Sequence, residues 1–554
     1  MKQFDTVEIH KPAKNVFNMS HDVKATYNFD KIYPFFCKPV YPGDTFNVSV
    51  EMFMRAMPML APVMHNVDAY IWFFECPDRI IFNENRKRDF KVWVTGGEDG
   101  KGGETDTLPP VALPTWSYPD VYAVNPDFCR HGSLMDHLGF PTIDSNETVQ
   151  SSRDDRISSL PFRAYQEVYN AYFRNQNVQN EVDFSHDEGR ENAASIAELF
   201  KFRKKCWEKD YFTSCLPWAQ RGQAVSLPIT LNDARLTGYL PISVGIAKVG
   251  NESVTRTLET GAGDSAILLS GAAPSIARQA IELQGSANLQ TTIIRFTGLE
   301  VGTINDFRYC MRLQQWLENN ARCGSRYIEQ LLSHFGVVSS DARLQRPELL
   351  GGGKINLLFS DVEQTTKGNA EENNVLGNLG GKGTLYGQTH GFKKYFEEHG
   401  ILLGVLAIIP RTSYSQGIPR EWSLLDKTDW YFPEFAHLGE QAVLNKEIYF
   451  NPAEADDTDH PANGVFGYQG RFVELRYIPS TFHGEMRSDL SYWHFGQIFR
   501  EVPVLNSDFV TAQTRANVFA ITDIADGNYD PFVAQIHVEC KAVRPLPKYA
   551  VPTL

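Results

Sequence analysis

Apolar and polar residues alternate most regularly over 45–54, where Phe46, Val48, Val50 and Met52 are separated by Asn47, Ser49 and Glu51. A period of two puts every second side chain on one face, so the stretch reads as a strand with one side on a core. Gly43-Asp44 supplies the turn before it. Residues 65–76 follow after a Met- and Pro-rich connection, 57–64, and within them 70–74 are apolar on both phases, as in a strand covered on both sides. The same alternation returns at 530–542, where Phe532, Ala534, Ile536, Val538 and Cys540 interleave with Val533, Gln535, His537, Glu539 and Lys541. Strands therefore bracket the chain.

Between them the period lengthens. Phe162, Tyr165, Val168, Tyr169 and Tyr172 predict an amphipathic helix over 162–175 with Pro161 in its entry. Thr303-Ile-Asn-Asp306 opens a second in the manner of a capping box, running past Trp316 and Leu317 towards Gly324. A third, from Ser325, carries Tyr327, Ile328, Leu331, Leu332 and Phe335 and stops at Gly336; a short fourth spans 392–399 before Gly400. Helices set between distant strands imply a β core with long connections. Residues 95–108, rich in Gly, Asp and Glu, suit a solvated loop tip. Residues 223–290 are rich in Ala, Gly, Ser, Thr and Leu and almost free of aromatics, which marks a self-contained surface insertion.

Composition supports a β-rich, loop-rich molecule: 36 Phe, 23 Tyr and 9 Trp stand beside 30 Pro and 41 Gly in 554 residues. A formal charge of −14 weakens any general phosphate-coating role, so nucleic-acid contact must be local or lent by a basic partner. The eight cysteines lack CxxC pairs and read as reduced, mostly buried thiols. The N-terminal residues lack a signal-peptide layout, and the longest apolar run, 401–410, is about half of what a bilayer needs, which predicts a soluble chain in a reducing cytoplasm.

Catalytic signatures are sparse. Gly351-Gly-Gly-Lys354 and Gly380-Gly-Lys-Gly383 miss the phosphate-loop spacing and read as flexible loops. No HExxH, GxSxG or EF-hand pattern occurs. Acid pairs such as Asp154-Asp155, Glu397-Glu398 and Asp456-Asp457 read as solvated surface. Two basic clusters remain. The stretch 201–205 (Lys-Phe-Arg-Lys-Lys) with Trp207 and Lys209 reads as a charged helix face with inward aromatics, or as a grip on single strands. Lys541, Arg544 and Lys548, with Pro545 and Pro547, form a short extended basic tail.

Several stretches together resemble the major capsid proteins of the Microviridae, the gokushovirus-like members in particular. They are Tyr41-Pro-Gly-Asp-Thr-Phe46, Met59-Leu-Ala-Pro-Val-Met-His65, Leu160-Pro-Phe-Arg-Ala-Tyr165, Trp207-Glu-Lys-Asp-Tyr-Phe212, Leu216-Pro-Trp-Ala-Gln-Arg-Gly222, Gly324-Ser-Arg-Tyr-Ile-Glu-Gln330, Ser339-Ser-Asp-Ala-Arg-Leu-Gln-Arg-Pro347 and Pro433-Glu-Phe-Ala-His-Leu-Gly-Glu440. The C-terminal hundred residues match less sharply. The resemblance implies a mainly β fold, an eight-stranded viral jelly roll of two sheets, with long helix-containing inter-strand loops and 1–554 as one capsid domain. It implies sixty copies assembling through pentamers into a T=1 icosahedral shell around circular single-stranded DNA, with no enzymatic role and no cofactor beyond a structural divalent cation. The partners it implies are further copies, a small basic DNA-binding protein, a pilot protein and a host surface receptor. By location, 223–290 corresponds to the threefold protrusion of gokushovirus relatives. Lys11, Lys14, Lys541, Arg544 and Lys548 are the candidate DNA-facing residues. The competing readings are a carbohydrate-active β-sandwich enzyme, which needs convergent carboxylates in one cleft, and a lectin-like binding module.

Overall fold

The computed structural model describes residues 13–549 except 84–87, 98–100, 106–107, 323–331, 334–337, 339, 342, 364, 366–376, 378, 454–456, 522–523 and 525–528; within 223–303 it describes only three short strands. The chain divides into two compact units, one of residues 1–222 with 317–554 and the other of 223–316. The second unit begins where the composition changes and holds β8 (Ser243–Ile246), β9 (Val254–Thr260) and β10 (Ile267–Leu269), an antiparallel sheet with β9 in the middle.

The first unit is built on β1 (Asn15–Asn18), β2 (His21–Tyr27), β3 (Tyr33–Val40), β4 (Thr45–Ala56), β5 (Val67–Pro77), β11 (Glu348–Glu363), β12 (Leu379–Tyr395), β13 (Gly400–Pro410) and β16 (Phe532–Arg544). Two small ladders lie outside this set, β6 (Thr115–Trp116) with β7 (Ile157–Ser158), and β14 (Glu440–Leu444) with β15 (Val465–Gly470). One wall runs β2-β16-β4-β12 and the other β3-β13-β5-β11, all antiparallel. The long β11 joins them: 348–357 pair with β5 and 358–363 with β12. Two four-stranded walls in this interleaved order are an eight-stranded jelly roll.

Alternation decides which side chains fill it. Phe46, Val48, Val50, Met52 and Met54 of β4 and Phe532, Ala534, Ile536, Val538, Cys540 and Ala542 of β16 all point inward and are buried. Register places Ile536 opposite Met52 and Val538 opposite Val50, so the two inward rows meet. They pack against Val67, Ala69, Ile71 and Phe73 of β5 and Leu402, Leu406 and Ile408 of β13. Each such large apolar side chain contributes about 1.5–3 kcal/mol on full burial.

Over β5 and β13 the β3-β13-β5-β11 wall has a second covered face, while the outward side of β11 is exposed. Phe74, Leu403 and Val405 turn away from the barrel towards Trp116, Phe162, Tyr165 and Phe200 of the loops, so every residue of β13 is buried. The helix at Leu160–Val168, extended by a π-helical turn over Tyr169–Phe173, is the main element of this layer. A buried ion pair fastens it: Arg163 Nε donates to Glu191 Oε1 at 2.7 Å, and its Nη atoms reach Ile81 O at 3.1 Å and Asp187 O at 2.9 Å. Ser159 and Ser195 hydroxyls donate to the same carboxylate at 2.7 and 2.8 Å.

Three expectations change. Residues 392–399 are not a helix: Phe392 pairs with Val48 and Tyr395 with Thr45, and the stretch up to Tyr395 is the end of β12. Its i, i+3, i+4 apolar spacing comes from aromatics on both sides of the strand end, since Phe392 and Phe396 are buried and Tyr395 is 51% exposed. The two glycine-rich stretches are strand, not flexible loop. A Cβ on Gly352 would lie 2.1 Å from Ile71 O and one on Gly381 2.2 Å from Ala61 O, so both glycines serve close backbone approach. The basic stretch 201–205 is irregular chain, not helix, because the preceding helix ends at Leu199. Its aromatics do point inward: Phe202 meets Tyr33 edge-on at 5.0 Å and Trp207 is buried. The second predicted helix is present as Ile304–Arg322, whereas most of the third falls outside the described residues.

Replacing Arg163 with Leu leaves Glu191 buried without its cation, which costs about 3–5 kcal/mol. The expected result is a large fall in the urea midpoint of the dissociated subunit; a midpoint unchanged within error contradicts this role.

Candidate assembly and nucleic-acid surfaces

The β1–β16 ladder brings the basic residues of both chain ends to one corner of the barrel, with Asn15 opposite Arg544 and Asn18 opposite Lys541. They do not behave alike there. Arg544 runs back across the barrel end, 3.2 Å from Asp44 Oδ2, donates to Pro39 O at 3.1 Å and stacks its guanidinium 5.1 Å from the Phe46 ring centre. Asp44 is buried and also accepts from Tyr41 N at 3.1 Å, so Arg544 is an internal strut neutralising it. Lys14 donates to Gly43 O at 2.8 Å and lies over the Tyr395 ring, with its side chain exposed. Lys541 is 56% exposed and pairs with Glu539 at 2.9 Å. Lys548 is exposed beside Tyr549. Lys11 lies outside the described residues.

Lys541 belongs to a larger feature, the outer face of the β2-β16-β4-β12 wall. Register aligns Lys24, Gln535, Phe53 and Tyr386 in one row, and Thr26, Val533, Arg55 and Thr384 in the next. Tyr386 is 78% exposed, and the Arg55 guanidinium sits 5.2 Å from the Phe53 ring centre. Lys24, Arg55, Lys382, Lys393 and Lys541 face outward among Asp22, Glu51 and Glu539, so this face is locally cationic on an acidic chain. Lys24, Arg55, Lys382 and Lys393 were not singled out by sequence reasoning. The polar phase of each strand was visible, but the register that gathers four strands into one surface was not.

Little here resembles catalytic machinery. Two surface clefts of about 260 and 310 Å³ are lined by Ser415, Gln416, Tyr449, Phe450, Asn451, Arg487 and Ile498, and by 63–66 with 356–359. Neither lining contains a carboxylate. Among the described residues no three His, Cys, Asp or Glu side chains converge to hold a metal. Burial pushes the thiols of Cys37 up to about 12 and of Cys129 and Cys540 up to about 11, which keeps them protonated. Burial also raises the Asp78 carboxyl to about 7, with Glu398 adding repulsion, and its Oδ1 has no hydrogen-bond partner.

The fold narrows the chain to jelly-roll proteins, a class that includes viral shell subunits and lectins. Residues 3–554 match the family described as Capsid protein (F protein), and the chain belongs to that family. It is similar to capsid protein VP1 of Bdellovibrio phage phiMH2K, 34% identical over 98% of this chain and 95% of that one. Capsid protein VP1 of Chlamydia phage 1 is 31% identical over 100% of this chain and 97% of its own, and that of Spiroplasma virus 4 is 29% identical over 98% and 96%. The chain is thus a structural capsid protein of a Microviridae phage virion, and the glycosidase and lectin readings are set aside. Among the described residues no helix is long and apolar enough to cross a membrane.

Two outcomes follow for the subunit. Arg544→Ala strands Asp44 without its cation and is expected to lower stability by about 1–3 kcal/mol in denaturant titration; no change shows that Arg544 is not a strut. The folded chain holds the Asp78 proton more tightly than the unfolded chain, whose carboxyl titrates near 3.8. Its contribution is therefore full below about pH 4 and is lost as pH rises through about 7. Asp78→Asn is expected to raise the melting temperature at pH 8 and change it little at pH 4; equal shifts at both contradict the burial argument.

Proposed function

We propose that sixty copies of this chain close a T=1 icosahedral shell, through pentamers, around a circular single-stranded DNA. The observation carrying this reading is the jelly roll of a family whose members are capsid proteins, with one wall covered by the chain's own loops and the other open. Covering loops provide the extra surface that contacts around several symmetry axes require.

Charge apportions the genome contacts. Each subunit carries −14, so the shell as a whole repels DNA. A small basic DNA-binding protein and cations, including divalent ones, offset the phosphates, while the shell offers a few local cations. Arg544 is already engaged with Asp44, so DNA contact falls to Lys14, Lys541 and Lys548 of the terminal corner. A pilot protein completes the particle. Residues 223–290 form the threefold protrusion that meets the host receptor; the composition break at Gln223 and the resemblance to gokushovirus relatives support this assignment.

The triple substitution Lys14→Ala, Lys541→Ala and Lys548→Ala tests the genome side. Particles are expected at normal yield, with DNA lost several-fold more readily as salt is raised. Unchanged retention across the salt series removes this corner from the genome contacts.

A further inference from the structure

The segment 420–438 combines firm attachment with unusual exposure. At its root Arg420 donates to Ala442 O and to Glu447 Oε1, both at 2.7 Å, with Glu474 3.7 Å away, and both carboxylates are buried. Further along, Arg471 donates to Thr428 O, and the Tyr431 ring meets Phe472 edge-on at 5.2 Å. The segment is thus fastened to the body in its middle as well as at its root. Its apolar side chains nevertheless point outward: Trp422 is 80% exposed and Leu425 90%, and Trp430, Tyr431, Phe432 and Leu438 are each about half exposed or more.

We propose that this segment is an anchor by which one copy of the chain grips a second copy in the shell, a surface assignment that rests on the shell-forming reading above. The area is of the right size. At about 150–250 Å² per fully buried aromatic side chain, the six side chains offer roughly 600–800 Å². A standard interface uses about 800 Å² per partner, and the largest patch on an ordinary monomer is about 300–600 Å². The chemistry also fits, since Trp and Tyr held rigidly at the centre of a patch carry most of the energy of an interface. Charge argues against the genome as occupant. Within 420–438, Glu421, Asp426, Asp429 and Glu434 outnumber Arg420 and Lys427, a sum of −2 for the segment; Arg420 is already engaged with Glu447, and the neighbouring Arg471 is held by Thr428 O. A polyanion is repelled there, whereas a protein surface accommodates such acids in its polar rim.

The test uses the full chain produced with the remaining phage proteins, comparing wild type with the double substitution Trp422→Ser and Leu425→Ser. Both side chains are exposed, so the variant is expected to remain soluble, with the circular dichroism and melting temperature of the wild-type subunit. Particle yield by sedimentation and electron microscopy is expected to fall about tenfold or more. Wild-type yield overturns the proposal, and so do normal particles that no longer attach to cells, which instead make the segment a host contact. Hydrogen exchange on wild-type material supports the inference independently of the variant's folding. Amides of 421–432 should exchange at least about tenfold more slowly in particles than in dissociated subunits, and equal rates overturn it. A wild-type chain that forms no particles at all is a different result, because it removes the shell-forming reading itself.

Discussion

The insertion of β16 between β2 and β4 is the pairing on which the barrel depends. β16 contributes six inward side chains to the core, from Phe532 to Ala542, and lends hydrogen bonds to both neighbours along most of its length. Without it, β2 has no partner in the wall and β4 becomes an edge, and the apolar rows of β4 and β5 lose the closure that keeps water from between the walls. The connection that carries Trp116, Phe162 and Phe200 is packed onto this frame from outside.

The two walls then meet different fates. The β3-β13-β5-β11 wall is roofed over β5 and β13 by its own connections, with Arg163 and Glu191 as a buried fastening, and among the described residues its outer face is exposed chiefly along β11, at Lys354, Asn356 and Leu358. The β2-β16-β4-β12 wall stays open, mixing Lys24, Arg55 and Lys541 with Phe53 and Tyr386. Under the genome contact proposed above such separation is useful, because apolar adhesion and phosphate attraction ask for opposite surface charge densities.

Legibility in the sequence followed the range of the interaction. The strands at 45–56, 67–77 and 532–544 could be read because one face of each meets a core, and alternation is a local consequence of that. The stretch 392–399 could not, since an exposed Tyr395 between the buried Phe392 and Phe396 gave an extended chain the apolar spacing of a helix. Gly352 and Gly381 were misread for a related reason: glycine marks a loop or a close approach equally well, and only the neighbouring backbone decides. Among the basic candidates, Arg544 and Lys541 look equivalent in sequence, yet one neutralises a buried carboxylate and the other faces outward.

The position of β16 also sets a timetable. Its contacts join residues some five hundred positions apart, as the His537–Asp22 pair illustrates. Pairings of such separation carry a large loop-closure cost and form late. On the ribosome, β2 and β4 therefore wait with open edges until the strand around residue 540 has emerged, and the barrel cannot close around a truncated chain. Premature termination products lack the strand that completes the wall, so defective copies are screened out at folding, before they could be built into a shell and compromise it.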